Sequence, residues 1–318
     1  MATKPMIEVE NLTKYYGNFP AITDVSFTVA KDEILGFLGP NGAGKSTTMK
    51  ILTGYMPPTE GTVRIAGYDV VSESLDARRH IGYLPETVPL YTDMTVRGYL
   101  EFMGSIRGLN KDRTRRRMSE VVDICRLEEY TNTLIGKLSK GFRQRVGIAQ
   151  AILHEPDILI LDEPTIGIDP IQVVETRQLI KDLGSERTVV ISTHILPEVS
   201  VICQRVVIIH EGEIVAMDHP ENLAERLQGA AQVVVEVRGP SEKVVDALKS
   251  IDGVRRVATS AKVNDTASYT VTSNHDEDLR EEVARKVVQQ GWGLLRQESV
   301  SMTLEQIFLR LTTEEPSN

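Results

Sequence analysis

Gly39-Pro40-Asn41-Gly42-Ala43-Gly44-Lys45-Ser46 is the stretch that decides the fold. It is a complete phosphate-binding loop. Before it, Glu33 to Leu38 is a short apolar segment that reads as a strand. After it, Ser46 to Thr53 reads as a helix stopped by Gly54. Strand, loop and helix in that order predict a parallel α/β sheet with a nucleoside triphosphate at its edge. The glycines let backbone N–H groups approach phosphate without a Cβ clash. Lys45 is placed to reach the β- and γ-phosphates and Ser46 to ligate Mg²⁺. Thr47 follows in the first turn, and the helix turns its positive end toward the anion.

The rest of such a site is legible further along. Ile158-Leu159-Ile160-Leu161 is a buried strand that delivers Asp162 and Glu163 at its end. Asp162 is expected to hold Mg²⁺ through water. Glu163 is expected to polarise or deprotonate the attacking water. Val189 to Thr193 is a β-branched strand ending in His194. If it lies parallel to the first strand, His194 stands beside the γ-phosphate. Leu138-Ser139-Lys140-Gly141-Phe142 is a second phosphate-facing loop, opening a helix from Gly141 to Leu153. Such a loop does not reach the nucleotide of its own chain, so it predicts a dimer closing on two nucleotides.

Alternating patterns give half-buried strands at Ile7 to Lys14 and Ala21 to Val29, with another at Thr62 to Ala66. From Thr95 to Ile135 the periodicity is helical, which predicts a helical insertion between two halves of the core. Arg113, Arg115, Arg116 and Arg117 fall in it and read as a solvated helix face or as an attraction to anionic lipid. Ile171 to Leu183 reads as a helix, and Val206 to His210 with Glu213 to Met217 as a hairpin about Glu211-Gly212. A boundary is expected at Gln228 to Ala231. Beyond it the order β-α-β-β-α-β predicts a small ferredoxin-like α+β domain, closed by a helix over Thr303 to Leu311.

Composition narrows the function. The net charge of -9 over 318 residues speaks against a nucleic-acid partner. Cys125 and Cys203 stand far apart, without metal-ligand spacing, and read as buried thiols. The amino-terminal residues carry no apolar targeting segment, and no run is long enough to cross a bilayer.

Together these motifs resemble the nucleotide-binding subunit of an ATP-binding cassette (ABC) transporter, over about the first 225 residues. The resemblance implies a RecA-like core, an antiparallel β-subdomain and a helical subdomain at about 87–155, making an ATPase domain of 1–228. The remaining 229–318 would be an accessory or dimerisation domain. It implies that Tyr16, with Tyr15 as its rival, stacks on adenine. It implies that Ser139, Lys140, Gly141 and Phe142 are the signature facing the partner's ATP, and that Asp169 belongs to the loop crossing the dimer interface. Two departures stand out. Lys140 and Phe142 replace the usual glycine and glutamine, and Glu86 replaces the glutamine that senses Mg²⁺ and links to the permease, where its carboxylate is expected to ligate Mg²⁺ in the same sensing role. These departures and the tail from Ser301 to Leu309 are similar to the gliding-motility-associated and multidrug-type ABC-2 exporters. The expected role is an ATPase at the cytoplasmic face of the inner membrane, a homodimer held there by permease subunits. The alternative is mechanical transmission to an extracytoplasmic accessory subunit without solute transport. Leu90, Tyr91 and Met94 are the apolar residues expected near the permease groove.

Overall fold

The computed structural model describes residues 4–226, 232–263, 266–273 and 279–300. The Gln228 to Ala231 boundary stretch and the Thr303 to Leu311 helix therefore fall outside the described residues. The chain divides into two compact units, Met1–Pro220 and Glu221–Asn318.

The first unit opens with an antiparallel hairpin, β1 (Ile7–Tyr16) and β2 (Phe19–Val29), whose alternate residues Ile7, Val9, Val25, Phe27 and Val29 are buried. β3 (Ile34–Leu38) is buried at all five positions. Such uninterrupted burial marks a central parallel strand covered on both faces. It runs into the phosphate loop and α1 (Lys45–Leu52). β4 (Glu60–Ile65) and the short β5 (Tyr68–Asp69) complete an antiparallel sheet in the order β2-β1-β4-β5. Helix α2 (Ser74–Arg79) and strand β6 (Ile81–Leu84) follow.

Helix α3 (Val96–Ile106) is capped by Thr95, and α4 (Lys111–Ile124) by Asn110. Each cap side chain accepts a backbone N–H three residues on, which satisfies a donor that the first turn leaves free. With α5 (Lys140–Ile152) they form the helical insertion. Here one expectation is corrected. Arg115 and Arg116 are exposed, but Arg117 is buried. Its guanidinium donates to the carbonyls of Ile152 at 3.1 Å and Leu153 at 3.3 Å, and pairs with Glu120. It therefore closes the carboxyl end of α5, where the last carbonyls lack helical partners and the dipole is negative. Arg117→Ala should lower the unfolding free energy by about 2–3 kcal/mol, because two buried carbonyls lose a charged donor. A urea midpoint equal to wild type would contradict this role.

The core resumes with β7 (Ile158–Asp162), α6 (Pro170–Gly184), β8 (Thr188–Thr193), α7 (Leu196–Ile202) and the hairpin β9 (Arg205–His210) and β10 (Glu213–Asp218). Glu211 and Gly212 take positive φ of 47° and 85°, as a tight two-residue hairpin turn requires. The sheet order is β10-β9-β3-β8-β7-β6, parallel except for β10. Consequently β3, β6, β7 and β8 all present their carboxyl ends along one edge. Chain order reverses at β3, between β8 and β9, which is where α/β sheets bind ligands. Cys125 and Cys203 are both buried free thiols. Burial pushes the Cys125 thiol up to about 12 and raises that of Cys203, so neither is a reactive thiolate.

The division falls after the first residue of α8 (Pro220–Arg226), and the rest of that helix belongs to the second unit. Then come β11 (Gln232–Arg238), α9 (Ser241–Lys249), β12 (Val254–Val263), β13 (Thr266–Ser273), α10 (Arg280–Gln289) and β14 (Gly293–Val300). The antiparallel order β12-β13-β11-β14 is the ferredoxin-like arrangement. Val233, Val235, Val237, Tyr269 and Val271 line one sheet face and pack in one core with Val244, Leu248, Val283 and Val287 of the two helices.

Candidate active site

The phosphate loop is shaped by what its glycines exclude. A Cβ on Gly39 would lie 2.4 Å from the Ile209 carbonyl oxygen, so a side chain there would displace β9. Gly44 caps α1 at φ 104°, and a Cβ would lie 2.8 Å from the Ala21 carbonyl oxygen. Left-handed backbone and close approach together demand glycine. Asn41 and Gly42 at the loop tip are exposed, whereas Ala43 and Lys45 are buried.

Lys45 curls under the loop. Its Nζ donates to the carbonyls of Gly39 at 2.8 Å and Pro40 at 3.1 Å, and lies 3.4 Å from Glu163 Oε1. Ser46 and Asp162 meet as their motifs require: Ser46 Oγ donates to Asp162 Oδ1 at 3.3 Å. Ser192, a residue the sequence reading passed over, also donates its hydroxyl to Asp162 Oδ1. A serine inside a β-branched strand carries no signal of its own, and only the pairing of Asp162 with Ser192 in the sheet reveals it.

Glu163 is 4 % exposed and sits at φ 49°, an unusual conformation for a residue with a long side chain. Its N–H donates to the Ser192 carbonyl at 3.0 Å and approaches Ser192 Oγ at 3.1 Å. These bonds hold the twist that turns the carboxylate back toward the sheet edge. There Oε2 meets His194 Nδ1 at 2.9 Å. A cation, a carboxylate and an imidazole therefore touch in a row, Lys45–Glu163–His194, at the carboxyl ends of β3, β7 and β8.

Glu86 follows β6 and is exposed. It lines a groove of about 730 Å³ that also takes in Ser46, Asp162, Tyr83, Tyr91 and Tyr99. Tyr91 is on its wall, while Leu90 and Met94 are not among the lining residues. Among the described residues no group of three or more His, Cys, Asp and Glu forms a metal cage. The Ser46 and Asp162 oxygens nevertheless converge, which fits a Mg²⁺ that takes its other ligands from phosphate and water.

Tyr16 is 46 % exposed at the tip of the first hairpin, with its hydroxyl 3.2 Å from Met56 Sδ. Ser139 caps α5, accepting the Phe142 N–H at 3.3 Å, and Ser139 and Lys140 are both exposed. Gly141 is buried under Gln172, whose Oε1 would lie 1.4 Å from a Cβ at that position. Lys140 Nζ would lie 2.3 Å from a Cβ on Gly167, placing the ammonium beside its own chain's Ile166–Asp169 loop. Phe142 packs against Tyr130 with ring centroids 4.1 Å apart and the planes tilted by 40°, and the Arg145 guanidinium lies 5.4 Å from the centre of the Phe142 ring. The aromatic thus has a packing partner of its own. Asp169 accepts the Gln172 N–H at 3.0 Å and caps α6, a role beside the one expected of it at an interface.

The ABC transporter family profile matches residues 22–166. The linearmycin resistance ATP-binding protein LnrL of Bacillus subtilis is 32% identical over 316 residues, covering 96% of this chain and 98% of LnrL. This chain belongs to the ABC transporter ATP-binding subunits. It is an ATPase of that family, with relatives of exporter type. The bacitracin transport ATP-binding protein BcrA of Bacillus licheniformis is 41% identical over 219 residues, 67% of this chain and 71% of BcrA. The ATP-binding cassette MJ0796, solved as a dimer with ADP and Pi, superposes with a TM-score of 0.62 at 28% identity, covering 67% of this chain and 98% of the cassette. The fold and the ATP-binding role of the cassette rest on these matches. No helix among the described residues is long and apolar enough to cross a membrane.

Proposed function

We propose that the chain powers an ABC-2-type exporter as a homodimer in which each ATP lies between the phosphate loop of one copy and Ser139 and Gly141 of the other. The observation that carries this reading is the separation of two phosphate-facing elements. Lys45, Glu163 and His194 gather at one sheet edge, while Ser139 sits on an exposed helix start and makes no hydrogen bond to them among the described residues. Each half lacks what the other presents. The dimeric MJ0796 cassette supports the arrangement, and relatives named for linearmycin resistance and bacitracin transport support export.

In this reading Lys45 leaves the loop carbonyls for the β- and γ-phosphates. Glu163 accepts a proton from the attacking water, and His194 holds Glu163 through Nδ1 while Nε2 remains for the γ-phosphate. Ser46 and Asp162 would hold Mg²⁺, which neutralises charge on the phosphate oxygens. Glu86 reports the state of the site to the groove at Tyr91, where permease subunits on the cytoplasmic face of the membrane would dock. Tyr16 offers its exposed ring to adenine.

A mixing experiment tests the shared sites. Ser139→Arg spoils the signature and Lys45→Ala spoils the phosphate loop, so each variant alone should be inactive. Mixed dimers rebuild one intact site, and an equal mixture should recover about a quarter of the wild-type sites by random pairing. A mixture as silent as its components would overturn the shared-site arrangement.

A further inference from the structure

Glu198 lies on α7 and is 2 % exposed, a buried carboxylate that the catalytic row does not use. Three donors converge on it. Thr165 Oγ1 donates to Oε1 at 2.5 Å, and Arg177 Nη2, from α6, reaches the same oxygen at 3.3 Å. Thr193 Oγ1 donates to Oε2 at 2.9 Å. A carboxylate so deeply buried is tolerated only when paired and fully hydrogen-bonded, and this one is.

The partners are what give the arrangement meaning. Thr165 stands two residues after Glu163 and opens the turn into the Ile166–Asp169 loop. Thr193 immediately precedes His194, and its hydroxyl also accepts the Ile195 N–H at 3.0 Å. Arg177 lies on the helix that Asp169 caps. One carboxylate thus ties together the chain segments carrying Glu163, His194 and the loop assigned to the dimer interface. We propose that Glu198 is a positioning residue that locks His194 to Glu163 through Thr193 and Thr165. It also makes that alignment depend on the Ile166–Asp169 loop, so that engagement of a second subunit is felt at the imidazole. The inference rests on the reading that His194 and Glu163 act at the γ-phosphate.

Replacement by glutamine isolates the effect because it keeps shape and removes one acceptor. The amide oxygen suits the Arg177 and Thr165 donors, so the NH₂ must face Thr193. Thr193 Oγ1 then has to accept that bond, and its own hydroxyl hydrogen loses its acceptor. The arm toward His194 is the one that weakens.

The experiment compares the full chain with Glu198→Gln, His194→Ala and the double variant, measuring phosphate release with ATP and Mg²⁺. Glu198→Gln should lower kcat about tenfold with KM for ATP within about twofold, and the double variant should match His194→Ala, as residues acting as one unit do. Wild-type kcat in Glu198→Gln, or losses that multiply in the double variant, would overturn the inference. Wild-type turnover in His194→Ala would instead remove the site reading beneath it. If the glutamine variant does not fold, Thr193→Val cuts the same arm: lowered kcat at unchanged KM supports the inference, and wild-type kcat overturns it.

Discussion

Glu163→Gln should reduce kcat by about 10²–10³-fold while ATP binding persists, and ATP should then accumulate the closed dimer. The expectation follows from what the substitution keeps. The left-handed turn at residue 163 is held by backbone bonds to Ser192, which glutamine does not disturb. An amide fills the same volume between Lys45 and His194. What disappears is the carboxylate proposed above to take a proton from the attacking water. Loss of a positioned base costs turnover without costing the phosphate contacts of Lys45 and the loop. Single-turnover hydrolysis and equilibrium nucleotide binding, measured side by side, separate the two effects. Hydrolysis at the wild-type rate would show that another group serves as the base.

The division between what the sequence discloses and what it hides follows physical lines. The phosphate loop is legible because steric demand fixes its residue types: only glycine fits against the Ile209 and Ala21 carbonyls. Strands β3, β7 and β8 are legible because burial on both faces makes them continuously apolar. Helices α2 and α7 and strand β6 escape the sequence reading. They are six, seven and four residues long, too short for a period to stand out from neighbouring loops. Strand β4 begins at Glu60, ahead of the expected Thr62, because it pairs with β1 as far as Thr13 through residues without alternating apolarity.

Polar networks are hidden more thoroughly. Arg117 looks like its neighbours Arg115 and Arg116 in a basic run. Only the meeting of α4 with the end of α5 shows that it is buried on two carbonyls. Ser192 and Glu198 are ordinary residues in sequence and become part of the site through partners about thirty positions away. Long-range hydrogen bonds leave no trace in local composition, so functional residues of this kind emerge only from the fold.

Lys45→Ala should show the opposite signature to Glu163→Gln: ATP affinity falls about 100-fold, and turnover is lost with it. Lys45 is 5 % exposed, and its ammonium bonds the Gly39 and Pro40 carbonyls beside Glu163. A cation held in so enclosed a place meets phosphate with little screening by water, which makes its attraction worth more than that of a surface lysine. Alanine also leaves the two loop carbonyls and a Glu163 oxygen without that donor, so the anion meets a loop richer in negative potential. Ligand-linked stability gives a readout independent of catalysis. At ATP concentrations about 100 times Kd, a folded state that binds ATP gains about 2.7 kcal/mol, which a thermal unfolding curve registers as a raised midpoint. Wild type and Glu163→Gln should both show that rise. Lys45→Ala should unfold at nearly the same temperature with and without ATP, and an undiminished ATP-dependent rise in that variant would mean that the loop backbone, rather than its lysine, supplies the affinity.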